Sequence, residues 1–212
     1  MNIFWFRRDL RIEDNVGLFH ALNSAEEVLP IFIFDEHILS QLPKEDARVS
    51  FIHAQLEKIQ AELNTVGKSL AVFHGKPIEV FEKLITENKI SAVYTNHDYE
   101  PYARNRDKEL NQLFVSKEIS FLTSKDQVIF EKSEVVKDDG TPYVVFTPYS
   151  KKWKENFKKI KLIHYPSEEK LDKIAQHSYP FLSLTDIGFK SSSIKVTPFD
   201  VSTTLIQNYE AT

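Results

Sequence analysis

Short polar clusters follow the apolar segments of this chain, and their side chains could bind a ligand. Arg7-Arg8-Asp9 follows the first segment, Asp35-Glu36 the second, His74-Gly75 the third and Asn96-His97-Asp98 the fourth. Ion pairs and hydrogen bonds from such groups can orient a planar ligand that is rich in heteroatoms. In an open parallel sheet, ligands bind outside the carboxyl ends of the strands. If the apolar segments are parallel strands, the clusters define one binding edge.

The polar clusters also have structural alternatives. Arg7 and Arg8 can pair with Asp9 or Glu13. Asp35 can cap a turn, and Asn96 can bond nearby backbone. We favour ligand binding because the clusters would converge on a single edge of the sheet.

The sequence offers few groups for catalysis. It contains no cysteine, so thiol nucleophiles, disulfides and thiolate metal sites are excluded. Its five glycines form neither a dinucleotide fingerprint nor a P-loop, and no Gly-x-Ser-x-Gly elbow is present. No His-x-x-x-His or carboxylate cluster stands at metal-ligand spacing, and His20 and His53 fall inside predicted helices. We therefore predict a binding domain with no catalytic residue and no metal site of its own.

Five apolar segments that alternate with helical periods position the clusters. The predicted strands are Asn2–Phe6, Val28–Phe34, Leu70–Phe73, Ala92–Thr95 and Ile119–Leu122. The predicted helices run from Asp14-Asn15 to Asn23 and over Asp46–Leu63, Pro77–Asn88 and Tyr102–Val115. Strands joined by helices of about three turns form βαβ crossovers. The pattern predicts an α/β fold, with a five-stranded parallel, Rossmann-like sheet and helices on both faces. Pro30 is a mild objection to a central second strand.

The alternation stops near residue 125, and three weaker patterns follow. Val128–Phe130 and Tyr143–Phe146 flank the turn signal Lys137–Thr141 and predict a hairpin. A helix is predicted over Pro148–Lys159. Residues 166–193 are polar and rich in serine, which is typical of a connector.

These patterns divide the chain into three parts. We predict an α/β domain over residues 1–130, a hairpin and helix that complete it over 131–165, and an interdomain linker over 166–212. The last residues, Asn208–Thr212, resemble the beginning of another helix. We therefore expect a domain taken from a longer protein.

Composition limits the classes of protein to consider. Of the 212 residues, 42% are hydrophobic and 27% are charged, and the formal net charge is −4. No apolar run approaches the roughly 20 residues that cross a bilayer, and the arginines after Phe6 interrupt any signal peptide. We expect a cytoplasmic protein without a membrane partner. The acidic balance disfavours DNA binding by this part alone, and the lysines between Lys151 and Lys161 are best explained as a solvated helix face.

Three stretches resemble the DNA photolyase/cryptochrome family in their order and spacing. They are WFRRDLRIEDN at 5–15, NHDYEPYARNRD at 96–107 and VVFTPYSKKW at 144–153. The resemblance implies an N-terminal α/β antenna domain, followed by a linker to an all-helical FAD-binding domain that these residues do not include. It also implies a bacterial-type deoxyribodipyrimidine photolyase as the parent, a light-driven C–C lyase that repairs pyrimidine dimers in damaged DNA. These residues alone would then be inactive, and Tyr209 would lie at the FAD edge of the parent.

The same resemblance implies a set of antenna-binding residues. They are Arg8, Phe34, Asp35, Ile38, Arg48, Asn96, Asp98 and Glu100. In this interpretation, Arg48 meets a ribityl or phosphate oxygen. Asn96 and Asp98 bond ring nitrogens. Phe34 and Ile38 supply apolar walls, although core packing is an alternative for Phe34.

The resemblance also bears on the type of antenna. Family members use a reduced folate, a deazaflavin or FMN, and some bind none. Folate-binding relatives carry Asn-Glu where this chain has Tyr102-Ala103, and a His of theirs falls near Leu42. FMN or 8-hydroxy-deazaflavin is therefore favoured over folate, and an empty site stays open. Arg11 and Asp14 are expected to be structural, because ion pairs can fix the loop that carries them.

Two other functions remain open at this point. A cryptochrome, which is a blue-light receptor without repair activity, would share this domain, and nothing in these residues separates the two. A stand-alone nucleotide-binding α/β module of the universal-stress type would share the parallel sheet. That module would need a glycine-rich phosphate loop after the fourth strand, and NHDYEPYARNRD has no glycine.

Overall fold

A computed structural model describes residues 1–194 and 202–207. The first half of the chain contains β1 (Asn2–Phe6), α1 (Val16–Leu22), β2 (Val28–Asp35), α2 (Glu36–Leu39), α3 (Ala47–Asn64) and β3 (Ala71–Gly75). Then follow α4 (Pro77–Glu87), β4 (Ala92–Asn96), α5 (Pro101–Ser116), β5 (Ser120–Ser124), α6 (Phe146–Phe157), a 3₁₀ helix (Ser167–Lys173) and α7 (Thr203–Gln207). Tyr209, the predicted FAD-edge residue, lies outside the described residues.

The five strands form one parallel sheet in the order β3-β2-β1-β4-β5. The predicted fold class is therefore confirmed. Pro30 is accommodated inside the sheet because it faces Phe4 of β1, while the pairing of β2 with β3 begins one residue later, at Ile31 and Ala71. The position without an N–H therefore lies outside the β2–β3 ladder.

The alternation of side chains along β1 builds a separate core on each face of the sheet. Phe4 and Phe6 pack with α1 and α3, while Ile3 and Trp5 pack with α4 and α5. All four side chains are buried. Since each fully buried side chain of this size stabilises the fold by about 1.5–3 kcal/mol, the two cores fix the sheet and hence its carboxyl edge.

The predicted hairpin after β5 is wrong, although its turn is present. Residues 128–130 and 143–145 form no strands, and α6 begins at Phe146. The turn itself closes with a 2.9 Å hydrogen bond from the Lys137 N–H to the Thr141 carbonyl. Gly140 adopts φ 79°, a backbone conformation that favours glycine. Strong local turn chemistry thus gave the signal of a hairpin where no strand pairing follows.

The segment from residue 166 to 194 packs against the α/β domain. After the 3₁₀ helix, Ile174 forms an isolated parallel bridge with Val28 at the beginning of β2. Leu171, Ile187 and Phe189 are buried in the core on the α1 and α3 face. The stretch thus contributes side chains to the core, and its role as a linker to a further domain stays a prediction. Among the described residues, no helix is both long and apolar enough to cross a membrane.

Candidate functional site

A buried polar joint connects the loops that follow β1 and β4. The Asn96 amide nitrogen donates to Asp9 Oδ2 at 2.5 Å and to Asn15 Oδ1 at 2.8 Å. Its oxygen accepts from the Gly17 N–H at 2.9 Å. A Cβ on Gly17 would lie 2.6 Å from that oxygen, so the approach requires glycine. The side-chain nitrogen and oxygen of Asn96 are thus occupied in holding the two loops together.

Arg7 clamps the end of β1 to α5. Its Nη1 lies 2.7 Å from both carboxylate oxygens of Asp107, and its side chain is only 5% exposed. The Arg7 guanidinium lies 5.1 Å from the centre of the Trp5 ring, and the Arg106 guanidinium lies 4.7 Å from it. Arg106 also binds Asp107 at 3.1 Å. The buried charges are therefore paired, which is the condition under which such groups are tolerated.

Arg8, Asp98 and Glu100, three of the predicted antenna residues, lie together at the carboxyl edge. Arg8 Nη1 is 3.6 Å from Asp98 and 3.7 Å from Glu100. Those separations are longer than hydrogen bonds. The Arg8 side chain is 56% exposed and Asp98 is 9% exposed. A cation held so loosely can exchange its partners for an anionic or carbonyl group of a ligand.

Asp35 is buried at the end of β2 and anchors an aromatic pair. One oxygen accepts from the His37 N–H at 3.0 Å, and the other accepts from the Tyr102 hydroxyl at 2.6 Å. The rings of His37 and Tyr102 stack with centroids 4.7 Å apart. Burial, followed by the bond to Asp35, raises the pKa of Tyr102 above its ordinary value. Tyr102 therefore remains a donor to Asp35 at neutral pH.

The predicted residues on and before α3 are placed differently. Phe34 lies in the core, where its ring centroid is 4.9 Å from that of Phe32, so the alternative of core packing applies to it. Ile38 is exposed on α2. Arg48 is 71% exposed and binds its own helix cap, Asp46, at 3.0 and 2.7 Å. No hydrogen bond or ion pair within residues 1–194 joins Arg48 to the group around Arg8.

Arg11 and Asp14 have the structural roles expected of them. Arg11 forms a bidentate ion pair with Asp126, with N–O distances of 2.9 and 2.8 Å, and donates a 2.6 Å hydrogen bond to the Asp14 carbonyl. Asp14 adopts φ 49° and accepts from the Tyr165 N–H at 2.8 Å. Loops after β1 and β5 and the segment at 165 are thereby fixed to one another.

Three hollows open around the carboxyl edge, and each is named for its neighbours. The α3 hollow has a volume of about 490 Å³ and is lined by Arg7, Arg8, Asp9, Leu10, Arg11, Phe51, Ile52 and Gln55. The α4–α5 hollow has about 430 Å³ and includes His37, Lys76, Tyr102 and Arg106. The β5 hollow has about 890 Å³ and lies beside α5, β5 and the loop after β5. All three fall in the range of roughly 300–1,000 Å³ typical of small-molecule sites.

Of the predicted antenna residues, Arg8 lines the α3 hollow and Asp98 lines the β5 hollow. The sequence interpretation assigned no role to Tyr102 or to the loop after β5. Tyr102 could have been found from its place in the first turn of α5, just beyond the cluster that follows β4. The loop after β5 carries no periodic signal.

Strand order, parallel pairing and the position of the loops define a class of protein. From β1 the chain winds outward to β2 and β3, and it then crosses back to β4 on the other side of β1. This reversal opens a crevice between the carboxyl ends of β1 and β4. Arg8 from the β1 loop and Asp98 from the β4 loop meet there. This is a doubly wound α/β domain with a cluster of charged side chains at the topological switch point.

Comparison with known proteins identifies the family. Residues 2–170 match the DNA photolyase family model, and the chain belongs to the DNA photolyase family. It is 31% identical over 151 residues to a deoxyribodipyrimidine photo-lyase of Synechococcus sp. The aligned region covers 71% of this chain and 31% of that protein. More distantly, it is 21% identical over 204 residues to cryptochrome-1 of Spalax judaei, which covers 91% of this chain and 34% of that protein.

Solved photolyases share the fold. The crystal structure of a class III photolyase from Agrobacterium tumefaciens matches with a TM-score of 0.71 and 25% identity, over 87% of this chain and 37% of that one. An archaeal photolyase from Sulfolobus tokodaii with two FAD molecules matches with a TM-score of 0.61 and 27% identity, over 85% and 43% of the two chains. The chain thus spans less than half of each of these proteins.

Proposed function

We propose that this chain is the N-terminal antenna domain of a light-driven DNA repair enzyme, a deoxyribodipyrimidine photolyase. The observation that carries the proposal is the match of residues 2–170 to the DNA photolyase family, together with the photolyase relatives. The proposed partners are a C-terminal FAD-binding helical domain of the same protein and damaged DNA. Repair would then depend on FAD and a flipped pyrimidine dimer in that domain. The present residues would supply no catalytic group.

The proposed antenna lies at the switch point, over the group formed by Arg8, Asp98 and Glu100. A flavin-type antenna, FMN or 8-hydroxy-deazaflavin, suits this chemistry because its ring offers both carbonyl oxygens and nitrogens to bond. Arg8 would hold a carbonyl or phosphate oxygen, and Asp98 would accept from a ring N–H. The two FAD molecules of the Sulfolobus tokodaii photolyase support a flavin class, because that protein is described as implying a novel light-harvesting cofactor.

The other predicted residues would contribute from behind or from the edge. Asn96 would keep the loops after β1 and β4 rigid, Asp35 would hold Tyr102 and the beginning of α2, and Phe34 would support the site from the core. Ile38 and Arg48, both exposed, would close over the ligand. The antenna, when bound, absorbs light and passes excitation energy to the FAD of the partner domain. The work of the protein is then to hold the ring fixed and dry.

Direct binding tests the antenna proposal. FMN and 8-hydroxy-deazaflavin would each be added to the purified chain, and visible fluorescence anisotropy would be followed. We expect one of them to bind, and Arg8→Ala to weaken it more than about tenfold. Lys58→Ala, which removes a charge from the exposed face of α3, is the matched control and should leave binding unchanged. Binding that survives Arg8→Ala would contradict the proposed site.

A blue-light receptor is the second candidate, because a cryptochrome matches 91% of this chain. Its identity of 21% is lower than the 31% of the Synechococcus photolyase, which favours repair. The full-length protein, reconstituted with FAD, should repair cyclobutane dimers in light and not in darkness. The present chain should show no repair, even with light and FAD. A full-length protein that is photoreduced yet repairs no lesion would support the receptor instead.

A further inference from the structure

The β5 hollow is the largest of the three and has no part in the proposed antenna site except through Asp98. Its walls are α5 on one side, Phe121 and Thr123 of β5 on another, and residues 128–132 of the following loop. At about 890 Å³, it could hold a ligand of mononucleotide size.

The charges around the β5 hollow leave two cations available. Its carboxylates already have partners: Asp107 binds Arg7 and Arg106, Asp98 faces Arg8 at 3.6 Å, and Glu131 lies 3.9 Å from Lys132. In contrast, Arg104 and Lys108 form no ion pair and no side-chain hydrogen bond with any described residue.

Arg104 and Lys108 are one turn apart on α5, so their side chains share one face of the helix. Both line the hollow. Two such cations on one wall can bind the oxygens of a single phosphate group, Arg through its planar fork and Lys as a point charge.

The lining also includes aromatic side chains that pack against neighbouring rings. Phe121 packs against Phe114 of the core with ring centroids 5.3 Å apart, and Phe130 packs against Trp153 of α6 at 5.5 Å. Val128 also lines the hollow and is exposed. Rings fixed in this way can receive a planar aromatic group without losing much conformational freedom.

A hydrogen-bonded network forms the remaining wall. His97 bonds Glu131 at 2.8 Å through Nδ1 and Thr123 at 2.9 Å through Nε2, and the Tyr99 hydroxyl donates to Glu131 at 2.7 Å. The network fixes the loop after β5 against β4 and β5. It also offers polar groups, such as Thr123, to the edge of a base or to a sugar hydroxyl.

We propose that the β5 hollow is a second ligand site, which binds a mononucleotide-type ligand: a planar aromatic ring carrying a phosphate. The phosphate binds Arg104 and Lys108, and the ring lies against Phe121, Val128 and Phe130. Of its lining residues, this site shares Asp98 alone with the antenna group around Arg8.

The test uses AMP and UMP as probes on the isotopically labelled chain, with amide chemical shifts as the readout. We expect both to perturb the amides of Thr123, Phe130 and Glu131. Arg104→Ala/Lys108→Ala should weaken binding at least about tenfold, or about 1.4 kcal/mol. The control Lys58→Ala/Lys117→Ala removes the same charge from exposed positions elsewhere and should leave binding intact. Ribose 5-phosphate, which lacks the ring, should bind more weakly than either nucleotide.

Four outcomes would overturn the proposal. The first is no shift up to about 10 mM of either nucleotide. The second is equal binding of ribose 5-phosphate and AMP, since the ring would then make no contact. The third is a set of shifts centred on Arg8 and Phe51, which would place the ligand in the α3 hollow. The fourth is binding of an oligo-dT strand that depends on Arg104 and Lys108 without any binding of mononucleotides, which would indicate a nucleic-acid contact. The wild-type shifts decide the location even if a variant were to fold poorly.

Discussion

The side-chain amide of Asn96, at the end of β4, donates a 2.5 Å hydrogen bond to the carboxylate of Asp9 in the loop after β1. The two strands are neighbours in the sheet, and the topological switch point opens at their carboxyl ends. The bond therefore crosses the base of the crevice that carries the candidate site. Rigidity at this point is a condition for holding any ligand in a fixed orientation.

The first prediction concerns Asn96→Ala. We expect a loss of about 3 kcal/mol in the free energy of unfolding, because the substitution leaves the Gly17 N–H without a partner and removes a bond from the buried Asp9 carboxylate. Urea unfolding followed by circular dichroism measures it. Asn111→Ala, on the exposed face of α5, should change stability by less than about 0.5 kcal/mol. Equal stability of the two variants would contradict the structural role of Asn96.

The second prediction compares two adjacent arginines. Arg7→Met should cost about 3–5 kcal/mol, because it breaks a buried ion pair, leaves Asp107 with Arg106 as its remaining cation, and removes the guanidinium beside Trp5. Arg8→Met should cost no more than about 1 kcal/mol, since Arg8 is mostly exposed and its ion pairs are long. Thermal unfolding of both variants gives the comparison. Similar losses would mean that the burial of Arg7 does not decide its role.

Strands and helices could be predicted from the sequence because local signals and tertiary packing agree in them. Val28–Phe34 is apolar throughout, as a strand covered on both faces must be. Asp46 caps α3, the helix that the periodic pattern after it predicts. The packing of residues 166–194 on the domain was not predicted, because it depends on single side chains, such as Leu171 and Phe189, that follow no repeating period. The hairpin was a false signal, since turn chemistry near Gly140 exists without paired strands.

The candidate site was predicted less completely. The rule for parallel sheets brought Arg8 and Asp98 to one edge, since both follow strands in the same direction. Spacing alone could not show that Asn96 turns inward to bond Gly17 while Asp98, two residues later, faces Arg8. Nor could it show that Arg48 binds the cap of its own helix. The direction of a side chain at a loop depends on contacts between distant parts of the chain.

The third prediction concerns Tyr102→Phe. The hydroxyl donates to a buried carboxylate, so its removal should destabilise the fold by about 1–3 kcal/mol. Asp35 would keep the His37 N–H and the Arg106 guanidinium, which lies 4.0 Å away. Chemical denaturation measures the loss. Tyr143→Phe, at a partly exposed position that forms no hydrogen bond with the described residues, is the matched control. A loss in the control as large as in Tyr102→Phe would rule out a special contribution of the Asp35 bond.

The fourth prediction concerns pH. The Arg48 guanidinium, together with the helix N–H groups, lowers the pKa of Asp46 to about 2. Because the folded pKa lies below the unfolded value of about 3.9, the stabilising contribution is complete above that value. It is lost as the pH falls toward 2. A carboxyl titration by NMR should give the low pKa, and Arg48→Ala should raise it while the backbone bonds keep it below the ordinary value. An unchanged pKa in Arg48→Ala would show that the pair does not form in solution.

The fifth prediction joins Arg48 to the proposed antenna. We expect Arg48→Ala to weaken FMN binding more than about tenfold, because the exposed guanidinium is free to leave Asp46 and bind the phosphate. The departure should raise the pKa of Asp46 when FMN is added to the unaltered chain, which the same NMR titration detects. Lys58→Ala, on the same helix, should alter neither quantity. Two results together would place Arg48 outside the antenna site. They are tight folate binding that Arg48→Ala does not weaken, and a pKa of Asp46 that does not change when FMN is added.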